Sequence, residues 1–166
     1  MFTLRCTRKL LNYLSADSAA IDIPPTTVLG DWYANLLFTK HTRLMICVSE
    51  RSLLPVFVEA NARFSFVERF RQSVRSLLEY VGVEATFVER EIGNMFEFQI
   101  GATTDRRVLG SLGELSFLAR EVIKLQSGLD LMALAAEIAE TPCSVISYQS
   151  PKSMTLALLR NRSADT

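Results

Sequence analysis

The chain carries few side chains able to do chemistry, and their spacing limits what that chemistry could be. His41 is the single histidine, so a multi-histidine zinc site and an HExxH helix are unavailable. Cys6, Cys47 and Cys143 are an odd number of thiols set far apart, which suits neither a disulfide framework nor paired CxxC metal ligands. Each sits among apolar neighbours, where a cysteine behaves as a small buried hydrophobe. A nucleophile–base pair with His41 would need one of them exposed beside positive charge, whereas the hairpin setting between Lys40 and Arg43 makes His41 a solvated turn residue. No GxGxxG, GxxxxGKS/T or GxSxG string occurs, and the acids, with Glu84, Glu89, Glu91 and Glu97 gathered around one segment, do not converge as two-metal hydrolysis requires. The residues therefore point to no catalytic set, no metal and no cofactor.

Two clusters could still hold a ligand. In TTDRRVLGSLGE, Thr103 to Glu114, a strand is expected to deliver Arg106 and Arg107 to a helix whose first turn begins at the glycine-flanked Ser111. Free amides of Gly110, Ser111, Leu112 and Gly113, the helix dipole and an arginine would together hold a phosphate or carboxylate. The plainer reading is that Ser111 caps the helix in an S-x-x-E box with Glu114 while the arginines pair with nearby acids. The second cluster is LGDWYANLL, where Asp31, Trp32, Tyr33 and Asn35 gather beside a long loop. Aromatic surface with polar handles suits a binding cleft. A strand, however, places Trp32 and Ala34 on one face and Tyr33 and Asn35 on the other, and one of those faces belongs to the core. Arg69, Arg71 and Arg75 could contact nucleic acid, although interleaved glutamates mark a solvated helix face.

Composition narrows the classes further. Eighteen basic and eighteen acidic residues cancel, so no global field recruits nucleic acid or an anionic membrane. With 49% apolar residues over 166 positions the chain suits one globular core. Its longest apolar runs reach about six residues against the roughly 20 needed to cross a bilayer. Arg5, Arg8 and Lys9 interrupt what a signal peptide would keep apolar, so a reduced, cytoplasmic setting is expected.

The elements that must position these clusters follow from periodicity. Phe2 to Cys6 alternates as a strand, and Thr7 caps a short helix to Tyr13. The stretch from Ser15 to Gly30, with Pro24 and Pro25, reads as a long loop. Trp32 to Phe38 and Arg43 to Val48 form a hairpin. Leu53 to Glu59 is a third run, placed at an edge by Pro55. Ser65 and Glu68 make a capping box for a long helix that Gly82 ends. Val83 to Ile92 reads as a short helix, although Thr86, Phe87 and Val88 would also suit a strand, and Met95 to Ile100 reads as a strand, with the Ser111 helix ending near Leu125. Leu129 to Ala139 is helical and apolar nearly all round, which suggests a self-association surface. Ser144 to Tyr148 reads as a strand and Pro151 to Leu159 as a last helix, with 160–166 a frayed tail. Together these predict a single α+β domain: a mixed, mostly antiparallel sheet of about five strands packed with about five helices.

The strings LRCTRKLL, LGDWYANLL, RLMICVSERSLLPVFV, TTDRRVLGSLGELSF and ETPCSVISYQSP resemble, in the same order, a family of small bacterial proteins of unknown function. That family shows CTxKL, LGxWxAN and NRSVxGSMNDL motifs. Asp105, Arg106 and Arg107 stand where the family has Asn-Arg-Ser, and Gly113 and Glu114 where it has Asn-Asp. The resemblance implies one domain and no assigned activity. The leading expectation is a non-catalytic binding or protein-interaction module. The alternative is a protein or enzyme acting on a phosphate- or nucleotide-like anion through Arg106, Arg107, Gly110 and Ser111, with Trp32 and Asn35 as further ligand contacts.

Overall fold

Five strands form one mixed sheet in the order β4-β3-β2-β1-β5: β1 (Phe2–Cys6), β2 (Trp32–Phe38), β3 (Arg43–Ser49), β4 (Pro55–Glu59) and β5 (Phe98–Ala102). The computed structural model describes residues 1–60 and 66–161. Tight connections make β2–β3 and β3–β4 antiparallel. Helical crossovers return the chain in the same direction, so β1 lies parallel to both β2 and β5. The α+β class expected from the sequence holds, and the pairings divide evenly between the two senses. Pro55 opens β4 at the sheet's edge, as its missing N–H demands.

The helices are α1 (Arg8–Leu14), α2 (Phe66–Tyr80), α3 (Ala85–Gly93), α4 (Arg106–Leu125), α5 (Leu131–Ile138) and α6 (Pro151–Asn161). Strand alternation decides which face each covers. Phe2 and Trp32 meet Phe70 of α2, with centroids 5.9 and 5.1 Å apart and the Trp32–Phe70 contact edge-on. Phe98 stacks on Phe2 at 6.1 Å. On the opposite face the Tyr33 hydroxyl meets the start of α4, bonding Thr104 Oγ1 and accepting from Asp105 N at 3.1 Å each. With helices on both sides, β2 is buried almost throughout.

Several expected boundaries move, each for a local reason. The strand expected at Met95 to Ile100 forms at Phe98–Ala102, because Met95 is buried in the turn closing α3 and Gly101 takes a sheet position opposite Arg5. A Cβ at Gly101 would approach Thr3 Cγ2 to 2.7 Å, so the glycine belongs inside the strand. Ser144 to Tyr148 is no strand: Ser144–Ile146 is a single 3-10 turn, after which Ser147 and Tyr148 adopt left-handed backbone. The apolar helix near 129–139 starts at Leu131 with Asp130 as its cap. Leu134, Ala135, Ile138 and Ala139 are buried within the chain, between β4 and the neighbouring helices. The Ser65 capping box lies outside the described residues, as does the tail beyond Asn161. Arg160, expected to fray, is helical.

The loop into β2 is held by three carboxylates. Glu91, buried on α3, accepts from Val28 N at 2.7 Å and Leu29 N at 2.9 Å. Gly30 takes φ +81°, and a Cβ there would meet Glu50 Oε2 at 2.6 Å, the oxygen that accepts from Asp31 N. Asp31, itself buried, accepts from Thr3 N and from Arg5 Nε, both at 2.8 Å. Burial works against the Arg5 charge, but Asp22 and Asp31 more than offset it and hold its pKa above the ordinary arginine value. Removing one partner of such a pair strands the other in a dry interior. Asp31→Ala should therefore cost about 3–5 kcal/mol in urea unfolding. Asp22→Ala, at the exposed outer end of the same guanidinium, should cost about 0–1 kcal/mol.

Candidate functional site

The residues singled out by motif end up in structural roles. Trp32 is fully buried behind Phe70, and its Nε1 has no hydrogen-bond partner among the described residues. Asn35 is half-buried; its Oδ1 accepts from Thr7 Oγ1 at 2.7 Å and from Leu36 N at 2.8 Å. That tie fixes the start of α1, where Thr7 Oγ1 also accepts from Leu10 N. The CT and AN dipeptides are thus two halves of one contact. Tyr33 joins the second cluster to the first through Thr104 and Asp105.

The expected anion cradle at Gly110 to Gly113 does not form. Asp105, not Ser111, caps α4, accepting from Arg107 N at 2.8 Å, so the helix begins six residues earlier than the capping-box reading placed it. Gly110, Ser111, Leu112 and Gly113 lie inside the helix, where each N–H is directed at a carbonyl of the preceding turn. Ser111 is buried. Arg107 pairs with Asp105 at 3.0 Å and holds that carboxyl below the usual aspartate range. Arg106 is exposed on the first turn. Asp105 occupies the helix's own anion position, and the Ser111 capping box does not form either, since Ser111 lies inside the helix.

The basic face proposed for α2 is largely neutralised. Arg71 pairs with Glu68 and lies over Phe96, Arg75 pairs with Glu89, and Arg69 donates to the Glu59 carbonyl at 3.1 Å. The thiols are buried as expected. Burial pushes Cys6 up to about 12 and raises Cys47 further, with Cys6 itself adding to the latter. His41 stays exposed at the hairpin tip, apart from all three.

What remains open is a groove where the β2–β3 hairpin tip faces the C-terminal half of α4. It holds about 450 Å³ and is lined by Phe38, Thr39, Lys40, His41, Arg120, Ile123, Lys124 and Gln126. No carboxylate stands in that lining. Lys124 pairs with Glu121 at 2.7 Å, whereas among the described residues no carboxylate pairs with Lys40 or Arg120. Phe38, 47% exposed, carries Lys9 at 4.3 Å and Arg43 at 5.9 Å from its ring centroid. Periodicity hid this site, because its cations lie about 80 residues apart in the sequence. The one available signal was the dense TKHTR tip.

Residues 3–154 match the family described as a domain of unknown function, DUF6933. The chain belongs to that family. The match spans β1 through the first turn of α6 and so takes in the carboxylate-stitched core together with the groove. No curated protein matches the chain, and no described helix is long and apolar enough to cross a membrane.

Two outcomes check these assignments. Gly110 and Gly113 are exposed in mid-helix with open space where a Cβ would go. Gly110→Ala and Gly113→Ala should each raise unfolding stability by about 0.5–1 kcal/mol; a loop cradle would respond with a loss. In a thiol-reagent titration near about pH 8, Cys6 and Cys47 should stay silent in the folded protein and react once it is unfolded.

Proposed function

We propose that this protein binds a small phosphate-bearing anion in the groove between the β2–β3 hairpin and α4. The observation that carries the reading is the concentration of Lys40, His41, Arg120 and Lys124 in one carboxylate-free lining, on a chain whose formal charges sum to zero. Lys124 has Glu121 as counter-charge, whereas Lys40 and Arg120 have no carboxylate partner among the described residues, and an anion between those two relieves their repulsion. The C-terminal end of α4 contributes roughly half a negative charge, which the charges of Lys40 and Arg120 outweigh. Arg120 supplies a planar fork for phosphate oxygens, and Lys40 a mobile point charge. The volume lies within the about 300–1,000 Å³ typical of small-ligand sites. This replaces the expected Arg106–Ser111 cradle with a different place on the same helix.

Inorganic pyrophosphate is the direct probe. Calorimetric titration at low ionic strength should show saturable binding that weakens as salt is added, since part of the attraction is screened. Arg120→Gln and Lys40→Gln should each weaken it about tenfold. No saturation by about 10 mM pyrophosphate, an affinity below about 3 kcal/mol, or binding indifferent to both substitutions would remove the proposal.

A further inference from the structure

We infer that a second site, at the edge of the sheet, takes a small neutral ligand with an aliphatic body and an adjacent amide N–H and C=O, equivalent to one residue of an extended peptide. β4 is an edge strand. In an antiparallel ladder every second residue turns its N–H and C=O to the neighbouring strand, and the residues between turn theirs away. Ala60 N donates to the Arg43 carbonyl at 2.9 Å and Ser49 N to the Leu54 carbonyl at 3.1 Å. The β3–β4 register carries that phase through Met45 opposite Val58 and Cys47 opposite Val56. Val56 and Val58 are therefore paired with β3, while Phe57 directs both backbone groups outward. The Glu59 carbonyl, in the same phase as Phe57, accepts from Arg69 of α2 and not from β3. Among the described residues no hydrogen bond reaches the Phe57 N–H or C=O.

This pair faces a groove. Val56 lies across Cys47 from Ala34, on the Trp32 face that α2 covers, and Phe57 lies across Ile46 from Asn35, on the other face. Helices α2 and α5 both pack on β4 and leave about 320 Å³ between them along its edge. Ser73 and Leu77 stand on the α2 wall and Leu131, Met132 and Ala135 on the α5 wall. None of these residues lines the cationic groove, so the two sites stand or fall separately. A backbone donor and acceptor at the floor of a largely apolar groove call for a partner. A ligand with the complementary pair exchanges two bonds with Phe57, as facing residues of a ladder do, and lays its aliphatic body against Leu77 and Leu131. The edge also limits the ligand's length. Pro55 has no N–H to offer, and the Glu59 carbonyl is engaged by Arg69. A longer strand would thus find no second complete pair on either side of Phe57.

The test titrates N-acetyl-leucinamide into the isotope-labelled intact protein and follows the backbone amides by NMR. The Phe57 amide resonance should move and saturate, with the Val58 amide, bonded to β3, moving far less. The analogue methylated on the leucine nitrogen lacks the donor and should bind about tenfold weaker. Gln72→Trp, at an exposed α2 position lining the groove, should abolish leucinamide binding by filling the space, with the unfolding midpoint and the pyrophosphate titration unchanged. No saturable Phe57 shift by about 20 mM leucinamide, equal binding of the methylated analogue, or binding indifferent to Gln72→Trp would overturn the assignment. So would an acetylated, amidated Ala-Leu-Ala tripeptide that binds about tenfold tighter than leucinamide, because the edge would then be a strand-docking surface.

Discussion

A buried carboxylate organises this domain. Asp31 receives the Thr3 amide and the Arg5 guanidinium, and so joins the start of β2 to β1. The alignment of Leu4 with Trp32 follows from it, because parallel strands have no tight turn to set their register. Glu91 secures Val28 and Leu29 just before Asp31, and Glu50 accepts from the Asp31 amide itself. Once β2 is placed, Trp32 presents its ring to α2, and Tyr33 presents its hydroxyl to the first turn of α4. Both helix layers are therefore referenced to one short segment.

The same constraint explains where binding capacity is left. Polar side chains near the β1–β2 junction are spent on one another: Arg5 on Asp31 and Asp22, Asn35 on Thr7, Tyr33 on Thr104 and Asp105. A group with a complete set of internal partners gains little by exchanging them for a ligand. At the far end of α4 the arrangement is reversed, since Arg120 and Lys40 face a groove that offers them no acid. The helix thus has a capped, self-satisfied beginning and an electrostatically unsatisfied end. Phe38, which lines the groove, carries Lys9 and Arg43 against its ring.

Reading the chain residue by residue recovers much of the first arrangement and little of the second. The hairpin of β2 and β3, the edge position of Pro55, the Thr7 cap and the Gly82 stop each depend on contacts within a few positions, and each is present in the fold. Ser111 misled because S-x-x-E signals a cap only where a helix begins. Here Asp105 offers an equally good cap six residues earlier, and Tyr33 reinforces it from a different strand. Met95 and Ser144 misled in a similar way. Met95 is taken into the turn closing α3, so the strand starts at Phe98, and Cys143 to Gln149 close on themselves.

The amino-acid sequence by itself determined the class of fold, the single core, the burial of all three thiols and the identity of the short segments that matter. These rest on hydrophobic period, proline and glycine geometry, and local hydrogen bonding, all of which act over a few residues. Tertiary structure alone decided that β1 pairs in parallel on both sides, that Glu91 serves the loop before β2, and that Lys40 and Arg120 share a groove. Those outcomes depend on which distant segments become neighbours. Electrostatic attraction and repulsion act through space, so their consequences become visible only once the chain has closed on itself.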